Sequence, residues 1–317
     1  MGKYVLKRIG AMLLTVFFVM VLSFMIVRLM PMNIFENPET PKAIQDKLNA
    51  QLHLDEPIPI QLVYFLKGVI TDFNFGTSVK IRPGADVFSL IATRIPPTVV
   101  LNFFSLLISI PLGLLAGVVA ALKRNTWIDN LISFFIVIFI SVPSFIFASV
   151  MQYGLTYAIP IFPTLYDSRA PLFWAGMFSM VLPIIALALS PIATIARYLR
   201  AELIENLSSE YLLLARTKGL TRMQAIVRHG FRNSLIPIAN TLIGLLTGIM
   251  GGSLVIENIF AVPGMGSQLV NSITAGDHFL TVALLMFYSA ISLFTVLIVD
   301  LSYSLIDPRV RVGGGAR

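Results

Sequence analysis

A chain of 317 residues that is 56% hydrophobic and 12% charged, with a mean hydropathy of +0.85, is too apolar for a soluble domain, where about 25% of residues carry charge; only a bilayer accommodates that much apolar surface. The absence of cysteine excludes disulfide frameworks and Cys-ligated zinc or iron–sulfur centres. The net charge of +7 reads as the orientation signal of a membrane protein rather than as a nucleic-acid footprint.

A helix needs about 20 mostly apolar residues to cross a hydrocarbon core of ~30 Å. Residues 9–27 supply the first such run, directly after Lys3, Lys7 and Arg8. The run is longer than the apolar region of a signal peptide and no small-residue cleavage site follows it, so it is a retained first span. Residues 31–97 form a segment outside the membrane. Thr40-Pro41 there predicts a capped helix start, with Ile44, Leu48 and Leu52 at helical spacing. Pro59 opens a second helix that puts Leu62, Phe65, Leu66 and Val69 on one face. This is a small helical cap, not a catalytic domain. Further apolar runs at residues 98–122, 131–153, 170–195, 237–256 and 279–299 bring the expected spans to six.

Residues 258–276 are also uncharged, but Pro263-Gly264-Met265-Gly266 interrupts them. Six spans with both termini on one side place 15 of the 23 lysines and arginines on that side and eight on the other. Six of those eight fall between Met32 and Pro97, a stretch long enough to translocate largely regardless of charge. A seventh span would move the basic C-terminal tail to the opposite side. Residues 258–276 are therefore a re-entrant or outward-lying segment, tolerable where protein surrounds it.

The segment 197–236 is the most informative stretch, because about 40 residues between two spans exceed the length of a turn. One helix is predicted from Ser208 to Lys218, ending where Gly219 suits the left-handed position after a helix. A second begins at Thr221 with Gln224 three residues on, a capping box, and runs through Ile226, Val227 and Phe231 until Pro237 opens the fifth span. Two short capped helices at the membrane face make a stiff knob; the alternative is an ordinary solvated loop.

Glu210-Tyr211-Leu212-Leu213-Leu214-Ala215-Arg216-Thr217-Lys218-Gly219-Leu220 resembles the EAA-type loop of the inner-membrane permeases of binding-protein-dependent ABC importers, specifically the dipeptide/oligopeptide class. Arg228-His229-Gly230-Phe231-Arg232-Asn233-Ser234-Leu235-Ile236-Pro237 resembles that family's ending of the loop. The general signature's acidic residue, six before the glycine, is Leu213 here, and the gap from Gly219 to Pro237 is longer than in sugar permeases; both departures suit the peptide class. The resemblance extends to Pro111-Leu112-Gly113-Leu114-Leu115-Ala116-Gly117, Ser141-Val142-Pro143-Ser144-Phe145, Gly251-Gly252-Ser253-Leu254-Val255-Ile256-Glu257, Pro263-Gly264-Met265-Gly266 and Asp307-Pro308-Arg309-Val310-Arg311. It thus covers about residues 3–312.

The resemblance implies an all-α membrane protein with six transmembrane helices in the type I ABC importer fold. Its organisation would be an N-terminal transmembrane helix at 1–30, an extracytoplasmic segment at 31–97, the importer core at 98–306 with a cytoplasmic coupling loop at 197–236, and a cytoplasmic tail at 307–317. It implies a multi-pass protein of the bacterial cell membrane with both termini cytoplasmic. The implied partners are a homologous second permease, two ATP-binding subunits and an extracytoplasmic substrate-binding protein, with lipid around the spans and no nucleic acid. Glu210, Tyr211, Ala215, Arg216, Lys218, Gly219, Thr221, Gln224 and Arg228 would dock the ATPase subunits, Ala215 offering a small contact face and Gly219 the hinge. A nickel permease is the nearest alternative within the class.

No G-x-x-x-x-G-K-[ST] loop, H-E-x-x-H or G-x-S-x-G occurs, so the chain is expected to be a transport subunit and not an enzyme, with hydrolysis left to other subunits and no cofactor of its own. A membrane enzyme or channel acting alone would need a catalytic constellation the sequence does not supply. His53, His229 and His278 are scattered and suggest no metal site; helix packing is the expected role of His229. Arg28, Arg197, Glu257 and Asp300 fall at predicted span edges, Arg28 and Asp300 as snorkelling or helix-end groups. Glu257, flanked by glycines and the broken segment, is a pathway or gate candidate together with Asn102 and Ser253, or else a structural hydrogen-bonding group that holds the outer turn.

Overall fold

The computed structural model describes residues 2–29, 50, 53, 55–169, 176–247, 251 and 253–306. The helix start expected at Thr40-Pro41 with Ile44, Leu48 and Leu52, residue Gly252, and the closing Asp307–Arg311 run lie outside the described residues. The described helices are α1 (Gly2–Leu29), α2 (Ile58–Asp72), α3 (Val87–Leu122), α4 (Trp127–Ser141), α5 (Ser144–Gln152), α6 (Met177–Leu207), α7 (Glu210–Thr217), α8 (Arg222–Ala225), α9 (Arg232–Thr247), α10 (Leu254–Ile259), α11 (Met265–Ala275) and α12 (His278–Ile306). Wider π turns follow α5 at Tyr153–Ala158 and α8 at Ile226–Phe231. The one extended pairing among the described residues is an isolated antiparallel bridge between Thr77 and Asp86. The regular elements among the described residues are all helices.

Four described helices are long and apolar enough to cross a membrane: Leu6–Leu29, Val87–Leu122, Met177–Leu207 and His278–Ser302. Among the described residues a fifth span is available if Trp127–Ser141 and Ser144–Ala158, bent by 100°, count as one. The sequence predicts an unbroken run over 131–153. The bend falls at Pro143, which lacks an N–H and pushes Val142 into the extended region, at φ −90 and ψ 125. Over 237–256 the structure shows a helix of 16 residues that begins at Arg232. Pro237 therefore lies inside α9 instead of opening it. The preceding π turn carries the chain into α9 without a break, and membrane helices tolerate such interior prolines.

The helices divide between two compact units, each discontinuous in sequence: Met1–Thr98 with Pro263–Phe294, and Val99–Val262 with Thr295–Arg317. In the first unit, Met20, Phe24 and Val27 of α1 join Phe65 of α2, Leu90 and Ile91 of α3, Met265 of α11 and Phe279, Leu280 and Leu284 of α12 in one apolar core. The rings of Phe24 and Phe65 stack at 5.0 Å. Leu62, Leu66 and Val69 of α2 pack against this core, the face its spacing predicts. Ser78–Ile81 is held by one carboxylate: Asp277 Oδ2 accepts from Ser78 Oγ at 2.5 Å and from the N–H groups of Val79, Lys80 and Ile81 at 3.1–3.2 Å.

In the second unit α3 lies on α6 through Gly113 and Gly117. A Cβ on Gly113 would sit 2.8 Å from Ile195 Cβ, and one on Gly117 2.9 Å from the Ala196 carbonyl oxygen. This small-xxx-small spacing is how two membrane helices approach at backbone distance. Asp129, in the first turn of α4, meets Arg200 of α6 in a two-pronged pair at 2.7 and 2.9 Å. Asp129 also accepts from the Asn125 N–H at 3.0 Å, so it closes the connection between α3 and α4 as well.

Candidate coupling site

The segment after α6 builds its own knob. Ser209 precedes α7 in an extended conformation, but its hydroxyl turns back to the Asn206 carbonyl at 2.6 Å instead of capping the helix. Glu210 in the first turn and Arg216 in the last complement the helix dipole. At the far end the Leu220 N–H reaches the Ala215 carbonyl and the Gly219 N–H the Arg216 carbonyl, at 3.3 and 3.0 Å. These two bonds make a Schellman motif, and its apolar contact is also present: Ala215 and Leu220 pack in one small cluster. Gly219 holds φ +94, while a Cβ there would meet nothing within 4 Å. The left-handed backbone, not crowding, demands glycine at this position. Beyond it the predicted capping box forms: the Thr221 N–H donates to Gln224 Oε1 at 3.0 Å, and the Gln224 N–H to Thr221 Oγ1 at 3.3 Å.

The interior of the knob is Leu212, Ala215 and Ala225, with Leu207 and Leu220 against them. Ala215, expected to face a partner, is 8% exposed and turns inward. An alanine at the third position from the helix end is the apolar half of the Schellman contact, and this competes with outward display. The outward face is larger and greasier than the sequence suggests. Leu213, Leu214, Met223 and Val227 are 55–62% exposed, and Arg216, Lys218, Arg222 and Arg228 are exposed beside them. Glu210, Tyr211, Gly219, Thr221 and Gln224 are exposed as well. His229 is exposed on the π turn, so it does not pack between helices as expected; Gly230 beside it takes the buried position.

Asn206 fastens the knob to its span, and sequence reading missed it. Its Nδ2 donates to the Glu202 carbonyl at 2.8 Å and to Ser234 Oγ at 2.9 Å. Its Oδ1 accepts from the Tyr211 hydroxyl. One carboxamide thereby joins α6, α7 and α9. Asparagine is common near helix ends, and nothing in the local pattern distinguishes this one.

The pathway candidates occupy different settings. Ser253 caps α10, its hydroxyl accepting from the Ile256 N–H at 3.4 Å. Asn102 is half-buried on α3. Glu257 is fully buried in the first turn of α10, and its carbonyl accepts from the Val262 N–H at 2.8 Å. Arg28 does not merely snorkel; its guanidinium lies 5.3 Å from the centres of both the Phe24 and Phe279 rings.

Comparison with known proteins gives these features a context. Residues 109–312 match the family model described as the inner membrane component of binding-protein-dependent transport systems. The chain is 36% identical over 313 residues to the dipeptide transport system permease protein DppB of Bacillus subtilis (strain 168), covering 98% of this chain and 99% of that one. It is 37% identical over 316 residues to DppB of Lactococcus lactis subsp. cremoris, covering 98% and 100%. Against the oligopeptide transport system permease protein OppB of Escherichia coli K12 it is 32% identical over 314 residues, again 98% and 100%.

Proposed function

Because the chain belongs to the family of binding-protein-dependent transport system inner membrane components and is a non-catalytic permease subunit, we propose that it carries di- and oligopeptides across the bacterial cell membrane. The substrate class follows the full-length relatives, which are dipeptide and oligopeptide permeases. A substrate-binding protein delivers the peptide from outside, a homologous second permease completes the pathway, and two ATP-binding subunits supply the work. The fold is the six-span type I importer arrangement with both termini cytoplasmic, divided as 1–30, 31–97, 98–306 and 307–317. α9, Arg232–Thr247, then belongs to the fifth span in sequence order.

The observation that carries the reading is the knob at 210–228. Its interior is closed by a Schellman motif and a capping box, while its exterior shows four large apolar side chains among four cations. Exposed leucines ringed by charge mark a protein docking face. ATP-driven closure of the docked subunits displaces this rigid knob, α6 moves with it, and the pathway opens to the other side. Asn102 and Ser253, both half-buried, are assigned to the pathway. Glu257, fully enclosed, is assigned to anchoring α10.

The test is reconstitution of the chain with its partner permease, ATPase subunits and binding protein in vesicles, followed by uptake of labelled di- and tetrapeptides. ATP-dependent uptake that needs the binding protein is expected; assembly without peptide uptake would refute the substrate class. Reporters fused after Arg317 and within residues 42–82 are expected on opposite sides of the membrane, and finding them on one side would refute the topology.

A further inference from the structure

We propose that α1 and α12 hold an individual phospholipid, its phosphate at Arg28 and one acyl chain along a groove that starts beside Val16. Two cavities of the first unit, described by different residues, support this. The first, of about 200 Å³, is lined by Phe24, Arg28, His53, Gln61, Tyr64 and Asn74, among others. Arg28 stands in the last turn of the first span. Its guanidinium is sandwiched against Phe24 and Phe279, and its Nε is buried without a hydrogen-bond partner. Among the described residues no carboxylate pairs with it. A half-buried guanidinium at a span end, fixed by two rings and with no paired carboxylate among the described residues, is a receptor for an external anion. Its planar fork matches phosphate.

The second cavity, of about 230 Å³, is lined by Val16, Phe88, Ala283, Met286, Phe287 and Ala290, among others, and is apolar throughout. Both cavities lie along the same helix pair. Phe24 and Arg28 follow the groove residue Val16 on one helix, and Phe279 precedes the groove residues Ala283–Ala290 on the other. From Arg28 to Val16 is 12 residues, about 18 Å of helix, and from Phe279 to Ala290 is 11 residues, about 16 Å. Half of the hydrocarbon core is about 15 Å thick. The groove therefore reaches from headgroup depth to about the middle of the bilayer, the span of one acyl chain. A free phosphate would use only the first cavity, and a detergent or fatty acid without phosphate only the second. A protein helix laid on the groove would leave Arg28 without its anion.

The whole complex, purified in mild detergent, is stripped of lipid and then exposed to mixed micelles of phosphatidylglycerol, with bound lipid read by native mass spectrometry. One tightly held phospholipid per chain is expected. Arg28→Gln is expected to weaken retention about tenfold, the size of a lost charge-assisted hydrogen bond, and Arg28→Lys to weaken it less. Ala290→Phe, which fills the groove and leaves the headgroup site intact, is expected to abolish retention too. Lipid addition is expected to raise Tm of the wild type and not of Arg28→Gln, which separates lost binding from misfolding. Equal retention by Arg28→Gln, binding of inorganic phosphate as tight as that of the lipid, or crosslinking of Ala290→Cys to the second permease would each overturn the proposal.

Discussion

The side chains of Asn206 and Ser234, 28 residues apart in sequence, are joined by a hydrogen bond of 2.9 Å. The Ser234 hydroxyl in turn donates to the Gly230 carbonyl at 2.8 Å, so the serine accepts from the asparagine and donates to the backbone. With Tyr211 on its oxygen, the Asn206 amide uses both donors and its acceptor. The knob therefore cannot swing on α6 without breaking this hub.

Asn206→Asp keeps the shape and removes both donors. Each lost bond is worth about 1 kcal/mol. The knob should still carry its outward face, so the ATPase subunits are expected to copurify. Peptide uptake per ATP hydrolysed is expected to fall about fivefold, within the range of a modest coupling energy. Paired uptake and hydrolysis assays on the reconstituted complex check this, and an unchanged ratio would show that Asn206 only shapes the loop.

Asp129 and Arg200 are unequal partners. The Asp129 side chain is 3% exposed and that of Arg200 30%. Removing the arginine strands a buried carboxylate, whereas removing the aspartate leaves a cation that reaches water. Arg200→Ala is therefore expected to cost more than Asp129→Asn, near the low end of the roughly 3–5 kcal/mol typical for breaking a buried pair. The double variant should recover much of the loss, because no uncompensated charge remains. Thermal unfolding of the four purified forms measures this. Strictly additive losses would mean that the pair is not coupled as its geometry requires.

Local chemistry was legible in the sequence, and long-range chemistry was not. Gly219, Thr221 and Gln224 announce their roles because helix ends are decided within a few residues, and the structure forms both motifs. The face of α2 was equally readable from spacing. Ala215 was misjudged because small size suits both an interior contact and a docking surface; only the position of Leu220 decides between them. Ser141-Val142-Pro143-Ser144-Phe145 marks the family, but nothing in that run states that Pro143 bends the helix by 100°. Asp129 with Arg200, and Asn206 with Ser234, join positions 71 and 28 residues apart. No periodicity connects such positions, and charge counting reads Arg200 only as a marker of sidedness.

Leu214 and Ala215 are adjacent and predict opposite failures. Leu214 is 55% exposed, so Leu214→Glu changes a surface that folding does not use and is expected to alter stability by about 0.5 kcal/mol or less. Its effect should be loss of the ATPase subunits on purification. Ala215→Arg instead forces a charge into the cluster of Leu212, Ala225 and Leu220, and is expected to lower the amount of folded chain. Immunoblots of membranes alongside pull-downs of the ATPase subunits separate the two. Normal ATPase retention by Leu214→Glu would remove this face from the docking site.

Asp277 is the anchor of residues 79–81. Four donors converge on one of its oxygens, while Ser78 is also tied to the next turn, its N–H donating to the Ala85 carbonyl at 2.8 Å and its carbonyl accepting from the Gly84 N–H at 3.0 Å. Asp277→Ala leaves three backbone N–H groups without their acceptor, and each buried orphan costs about 1–3 kcal/mol. The loop can open to water instead of keeping that cost, so the damage should be local opening and not loss of the helices. Lys80 lies within this stretch and supplies a trypsin site, whereas Arg82 is followed by Pro83 and resists the enzyme. Cleavage at Lys80 is expected to quicken by tenfold or more for about 1.4 kcal/mol of local destabilisation. Asp277→Asn, which keeps an oxygen acceptor without the charge, should fall between the wild type and Asp277→Ala. Ser78→Ala, which removes the hydroxyl's bond to Asp277 and its acceptance from the Arg82 N–H but leaves the three N–H bonds to Asp277, should change cleavage least. Equal cleavage of all four forms would mean that the loop is held by something other than this carboxylate.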